Sequence, residues 1–153
     1  MLNLWRLLFC IFIVFFAAAV ASYFIVGAIE PWYSHLNKPS FTPPNWAFQV
    51  AWAVLYLLIA VSLYLVLESG KENRAAVHVF TLQLILNYTW TLIFFGLHLP
   101  FYALACIVIL WLAIAWTIFK FYKISHAAAY LLIPYMVWIS FAGVLNYYVM
   151  VLN

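Results

Sequence analysis

The chain contains no aspartate. Its only acids are Glu30, Glu68 and Glu72, all at the ends of apolar runs. Charged residues make up 6% of the 153 positions, where a soluble domain carries roughly 25%. So little charge excludes water as the main solvent. The missing aspartate excludes a Ser-His-Asp set, and no other hydrolytic or redox constellation is present. Six lysines and arginines give a net charge of +3, too few and too scattered for a nucleic-acid surface. The two cysteines, Cys10 and Cys106, lie inside apolar runs and form no CxxC pattern, so they read as inert and give no disulfide framework. His35, His78, His98 and His126 lack metal-ligand spacing with carboxylates, so no metal site is expected. Internal repeats, low-complexity tails and linkers are also missing.

What the chain does have is apolar length. It is 71% hydrophobic and 22% aromatic, with a mean hydropathy of +1.15. A spanning helix takes about 20 apolar residues. Five runs qualify, at about 7–29, 46–67, 75–97, 101–119 and 127–152. Backbone groups in lipid must be satisfied within the segment, which makes these runs helices. The alternation of a transmembrane barrel is absent. The expected fold is an all-α integral membrane protein, one domain over 1–153. It is a five-transmembrane-helix bundle with a long ordered loop between helices 1 and 2. "AVAS" at 19–22 resembles a signal-peptidase site, but the apolar run continues to Ile29 and reads as a retained helix. Arg6, Lys71, Arg74, Lys120 and Lys123 fall on one side of such a bundle and only Lys38 on the other. In a bacterial inner or plasma membrane this places the N-terminus in the cytoplasm and the first loop outside.

Polar side chains within spans usually face the bundle interior or a cavity. Gln83, Asn87 and Thr91 recur at i, i+4, i+8 and share a helix face, flanked by Trp90 and Phe94. Two readings fit. One is interhelical hydrogen bonding, worth ~0.6–2 kcal/mol each; the other is a pocket wall whose few amides orient a ligand. The second helix adds Trp52, Tyr56 and Ile59, and the fifth adds Trp138, Ala142 and Asn146. Pro134, one turn before Trp138, bends that helix or frees a carbonyl. Together the stripes describe an aromatic cavity for a flat, largely apolar ligand. Ala17, Ala18, Ala21 and Gly27 allow close helix contact, within the chain or in a dimer, or simply face lipid. The first loop, "WYSHLNKPSFTPPNW" (32–46), is stiffened by Pro39, Pro43 and Pro44. Its Trp32, Tyr33 and Phe41 suit a lid over the bundle's mouth, with His35 and Lys38 placed to meet acidic groups on a ligand. A rigid connector with interfacial aromatics is the plainer alternative.

These stretches resemble the TspO/MBR family, which comprises the translocator protein, once called the peripheral benzodiazepine receptor, and the bacterial tryptophan-rich sensory proteins. "WYSHLNKPSFTPPNWAF" is similar to the family's first loop, and "VAWAVLYLLIAVSLYLV" to its second helix. "QLILNYTWTLIFF" resembles its third-helix signature, and "LLIPYMVWISFAGVLNYYV" its fifth. The resemblance spans most of the chain. It implies a five-helix bundle, commonly a homodimer, with a pocket under the first loop. That pocket binds porphyrins such as protoporphyrin IX and benzodiazepine-site ligands. Some bacterial members degrade protoporphyrin in light and oxygen and need pocket tryptophans, which match Trp52 and Trp138 here. Tyr33, Pro43, Asn87, Trp90, Phe94 and Ala142 match other pocket positions, and Thr91 falls where the third-helix pocket residue varies.

Two departures stand out. Where the family often has a second proline-rich step, this chain reads Phe48-Gln49-Val50-Ala51-Trp52, which puts a polar group near the mouth. The sterol motif of animal members lacks its basic residue in "LNYYVMVLN" (145–153), so cholesterol binding there is not expected. The function expected is a membrane sensor or carrier that binds protoporphyrin IX, with no obligatory cofactor. Alternatives are photo-oxidative porphyrin degradation through Trp52 and Trp138, or passive tetrapyrrole or lipid transport. An axial role for His98 on a haem iron is the weaker reading beside an interfacial one, and metal-free porphyrin is expected to bind at least as well as haem.

Overall fold

The computed structural model describes residues 3–29 and 31–153, and side chains throughout these except at Phe24 and Ile29. Glu30 lies outside the described residues. Five stretches are long and apolar enough to cross a membrane. The first, α1, runs Leu4–Ile29 without interruption at Ala19–Ser22. Pro31 follows it, and a short 3-10 turn covers Tyr33–His35. Pro44, with ψ 153°, sets the extended backbone just before α2 (Asn45–Glu68). Gly70 then supplies the left-handed conformation (φ 67°) that turns the chain out of α2. Next comes α3 (Arg74–Thr91), and α4 spans Pro100–Tyr122, with its proline at a helix start where no amide hydrogen is needed.

Two details depart from five simple rods. The last turn of α3 widens into a π segment over Leu92–Gly96, where Leu97 N–H donates to Leu92 O at 2.9 Å. His98 then leaves the helix with φ 56°. The fifth span is divided into α5 (His126–Leu131) and α6 (Ile133–Leu152). Pro134 has no amide hydrogen to offer the preceding turn, which accounts for the break at Leu132. Ser125 caps α5 by accepting from Ala128 N–H at 3.3 Å.

Lipid is as apolar as leucine, so helices in it are held by close packing and interhelical hydrogen bonds rather than by the hydrophobic effect. Ser62 on α2, fully buried, donates to Ala128 O on α5 at 2.7 Å. Tyr88 on α3 donates to Val14 O on α1 at 3.0 Å. Trp111 Nε1 on α4 donates to Ser140 Oγ on α6 at 2.9 Å. At the end opposite the first loop, Arg6 pairs with Glu68 at 2.6 Å, and Lys71 Nζ donates to Ile124 O at 2.8 Å. The bases that the sequence puts on one side therefore share one end of the bundle. Close contact does not explain Gly27, because a Cβ built there meets nothing within 4 Å.

Candidate functional site

At the loop end, α1 and α2 do not close on each other. Between them lies a cavity of about 360 Å³, within the range of roughly 300–1,000 Å³ typical of small-molecule pockets. From α1 it takes Phe15, Ala18, Ala19, Ala21, Ser22, Ile25 and Val26. From α2 it takes Asn45, Phe48, Gln49, Trp52, Ala53 and Tyr56. Trp90, Thr91 and Phe95 of α3 and Trp138 and Ala142 of α6 form the back wall, and Tyr33 is the only loop residue lining it among the described residues. Among the described residues, no charged side chain lines the cavity.

The wall is an aromatic box. Trp52 stacks on Tyr56 one turn along α2, with centroids 5.2 Å apart and planes at 26°. Trp52 and Trp138 meet edge to face at 6.4 Å and 86°. Phe48 packs edge-on to Trp138 at 5.7 Å. Rings in this arrangement present π-faces and edges at low conformational cost, since each turns about two torsions. Trp138 Nε1 is buried without a hydrogen-bond partner among the described residues.

The amides expected beside a ligand are occupied elsewhere. Asn87, fully buried, donates from Nδ2 to Tyr135 Oη at 2.8 Å and accepts from Tyr56 Oη at 3.4 Å. It ties α2, α3 and α6 together beneath the cavity and does not line it. Asn146 accepts from Trp90 Nε1 at 3.1 Å and donates to Pro100 O at 2.8 Å. It fixes the Trp90 indole from behind. These two asparagines thus follow the interhelical reading of the stripe. Gln83, 1% exposed, has neither amide atom partnered among the described residues and lies off the cavity. Thr91 lines the cavity, but its hydroxyl donates back to Asn87 O at 3.2 Å.

The loop also differs from its expected role at two residues. Lys38 does not reach the cavity. Its Nζ donates to Tyr33 O at 2.6 Å, Leu36 O at 3.1 Å and Ser34 O at 3.3 Å, which uses all three of its donors. It also sits 4.8 Å from the Tyr33 ring centroid. Partial burial pulls the Lys38 ammonium below its ordinary pKa and pushes the Tyr33 phenol up. His35 is exposed, with Nδ1 3.2 Å from Ser34 Oγ, and lines nothing. Pro43 is half-buried and off the cavity. The ammonium thus organises the loop's own carbonyls, and at Tyr33 O it adds to the Leu36 N–H, which donates there at 3.4 Å.

The loop is laid over α3 and α6 rather than over the gap beside α1. Trp32 stacks on His98 at 4.3 Å and 17°, and meets Phe94 edge-on at 5.4 Å. Phe94 is sealed beneath Trp32 and Tyr33, so the lining position passes to Phe95. His98 is held against Trp32 and is not a lining residue. Phe41 meets Tyr148 edge-on at 5.5 Å, and Asn37 is bonded to Asn153.

Comparison with known proteins follows this geometry. The model of the TspO/MBR family matches residues 9–152. The chain is 40% identical over 153 residues to the tryptophan-rich protein TspO of Archaeoglobus fulgidus, covering 99% of each chain. It is 39% identical to protein CrtK of Rhodobacter capsulatus, over 90% of this chain and 86% of that one. It is 38% identical to the human translocator protein, over 84% of this chain and 78% of that one. The chain belongs to the TspO/MBR family of multi-pass integral membrane proteins, whose members serve sensory and translocator roles.

Proposed function

We propose that the cavity binds protoporphyrin IX or a similar flat aromatic ligand, including benzodiazepine-site compounds, and that the protein senses or carries it. The observation that carries this reading is the edge-to-face pair of Trp52 and Trp138 in a lining that has no charged side chain among the described residues. Such a box favours a broad π-surface and rejects an ionised group, which is costly to desolvate. The ligand's carboxylates remain at the mouth, near Asn45 and Gln49, because Lys38 is committed to the loop. The proposed orientation has the basic end, with Arg6, Lys71 and Arg74, in the cytoplasm of a bacterial inner or plasma membrane and the first loop outside. The proposed assembly is a homodimer, on the strength of the resemblance, and crosslinking in the native membrane tests it.

Light-driven degradation is the second reading. Indole is far easier to oxidise than benzene, and the Trp52 and Trp138 indoles lie beside the bound ring in this proposal. Purified protein is titrated with protoporphyrin IX in the dark and then illuminated, together with the Trp52→Phe, Trp138→Phe double variant. Saturable binding in both proteins, with a defined photoproduct only in the parent, supports photochemistry. Binding with no defined photoproduct leaves a sensor or carrier.

A further inference from the structure

The lining residues differ in exposure by helix. Those from α3 and α6 are buried or half-buried, whereas Ala19, Ser22 and Val26 on α1 and Asn45, Gln49 and Ala53 on α2 are exposed. The cavity is therefore closed at the back and open along the seam between α1 and α2. Val26, at 73% exposure, shows how far this lip stands clear of protein. Counting from the loop ends of the helices, Ala53 lies ~12 Å below Asn45 and Ala19 ~15 Å below Ile29, at 1.5 Å per residue. Half of a hydrocarbon core is about 15 Å, so the seam faces the acyl chains of the loop-side leaflet. Above it, the loop is fastened to the opposite side of the bundle through Trp32–His98, Phe41–Tyr148 and Asn37–Asn153.

Building on the function proposed above, we infer that the cavity is filled sideways from the lipid, through the slit between Ala19/Ser22 and Ala53, and not from water beneath the loop. The slit specifies a class of ligand. It takes a membrane-dissolved amphiphile whose apolar ring system slides edge-on past small side chains while its polar end stays at headgroup level beside Asn45 and Gln49. Water-soluble ions of similar size are disfavoured, because no charged group among the described residues of the seam replaces their hydration.

The test begins without a ligand. In vesicles, tryptophan fluorescence of the parent minus that of the Trp52→Phe, Trp138→Phe variant isolates the Trp52 and Trp138 indoles of the cavity. Lipids brominated high in the acyl chain are expected to quench this difference signal, and aqueous iodide is not. Protoporphyrin IX binding kinetics follow, using Ala53→Phe or Ala19→Leu to narrow the slit and Asn153→Ala to loosen the loop. A narrowed passage raises the barrier to entry, so association slows by about tenfold, whatever these lining substitutions do to Kd. Asn153→Ala leaves association unchanged. Iodide quenching at least as strong as lipid quenching overturns the inference. So does association that Asn153→Ala accelerates and Ala53→Phe does not slow. Lipid quenching with no porphyrin binding upholds the slit and overturns the porphyrin reading instead.

Discussion

Asn37 and Asn153, 116 residues apart, hold each other by reciprocal hydrogen bonds. Asn37 N–H donates to Asn153 Oδ1 at 2.9 Å, and Asn153 Nδ2 donates to Asn37 O at 3.0 Å. Asn37 Nδ2 also reaches Leu152 O at 3.3 Å. The end of α6 is thus a latch for the first loop. Exposed hydrogen bonds contribute about 0.5–1.5 kcal/mol each. Asn153→Ala is therefore expected to raise hydrogen exchange at the Asn37 amide by roughly tenfold, about 1.4 kcal/mol, while the spans keep their protection. Unchanged exchange at Asn37 contradicts the latch.

Lys38 organises the loop instead of the ligand. Lys38→Met takes the ammonium away from the Tyr33, Ser34 and Leu36 carbonyls, and Tyr33 O keeps the Leu36 N–H as a backbone donor. A loss of about 1–3 kcal/mol in stability is expected, as for a charged hydrogen-bonding group removed from its partners. Affinity for protoporphyrin IX relative to its dimethyl ester is expected to stay constant. A preference for the free acid that vanishes in Lys38→Met would place the ammonium on the ligand after all.

Beneath the cavity, Asn87 bridges Tyr56 and Tyr135. A double-mutant cycle of Asn87→Ala and Tyr135→Phe isolates one of these bonds. Interhelical bonds in membranes average about 0.6 kcal/mol, with a maximum near 1.7, and the coupling is expected in that range. A coupling of zero would mean the bond contributes nothing and the buried amide is held by packing alone.

Gln83 should behave in the opposite way. Both of its amide atoms are buried without partners among the described residues, and an unmatched amide costs roughly 1–3 kcal/mol in protein interiors. Gln83→Leu, of similar size, is expected to leave thermal stability unchanged or raise it. A clear loss of stability would reveal a polar partner for Gln83.

The amino-acid sequence makes much of this fold legible because lipid permits few alternatives. Apolar runs of spanning length must be helices, and α2 and α4 begin within one residue of their expected starts, at Asn45 and Pro100. Helical periodicity also brings Trp52, Tyr56, Trp138 and Ala142 to one cavity, since an i, i+4 spacing fixes a shared face whatever the tertiary contacts. The α1 wall is harder to read. Ala18 and Ala21 were open to a packing role, and Ser22, whose hydroxyl donates to Ala18 O at 2.9 Å, gives little outward sign of lining a cavity. The roles of Lys38, His35 and Phe94 depend on how the loop lies over α3 and α6. Contacts as distant as Asn37–Asn153 fix that path, and no local pattern encodes it. Phe95 lies one turn from Thr91 and continues the stripe into the cavity, whereas Phe94 lies beside the stripe and is covered by the loop.

Ala142 and Gly143 give the most direct test of the cavity as the ligand site, because they are adjacent in sequence and line different surfaces. Ala142 lines the cavity, and Gly143 lines a shallow outer groove between α4 and α6, where a Cβ would meet Ile107 Cγ2 at 3.7 Å. Protoporphyrin IX is titrated in the dark against the parent, Ala142→Phe and Gly143→Ala, with thermal stability measured alongside. The account predicts saturable micromolar binding by the parent, loss of about 100-fold or more in affinity for Ala142→Phe, near 2.7 kcal/mol, and unchanged affinity for Gly143→Ala. Full affinity in a folded Ala142→Phe protein would contradict it.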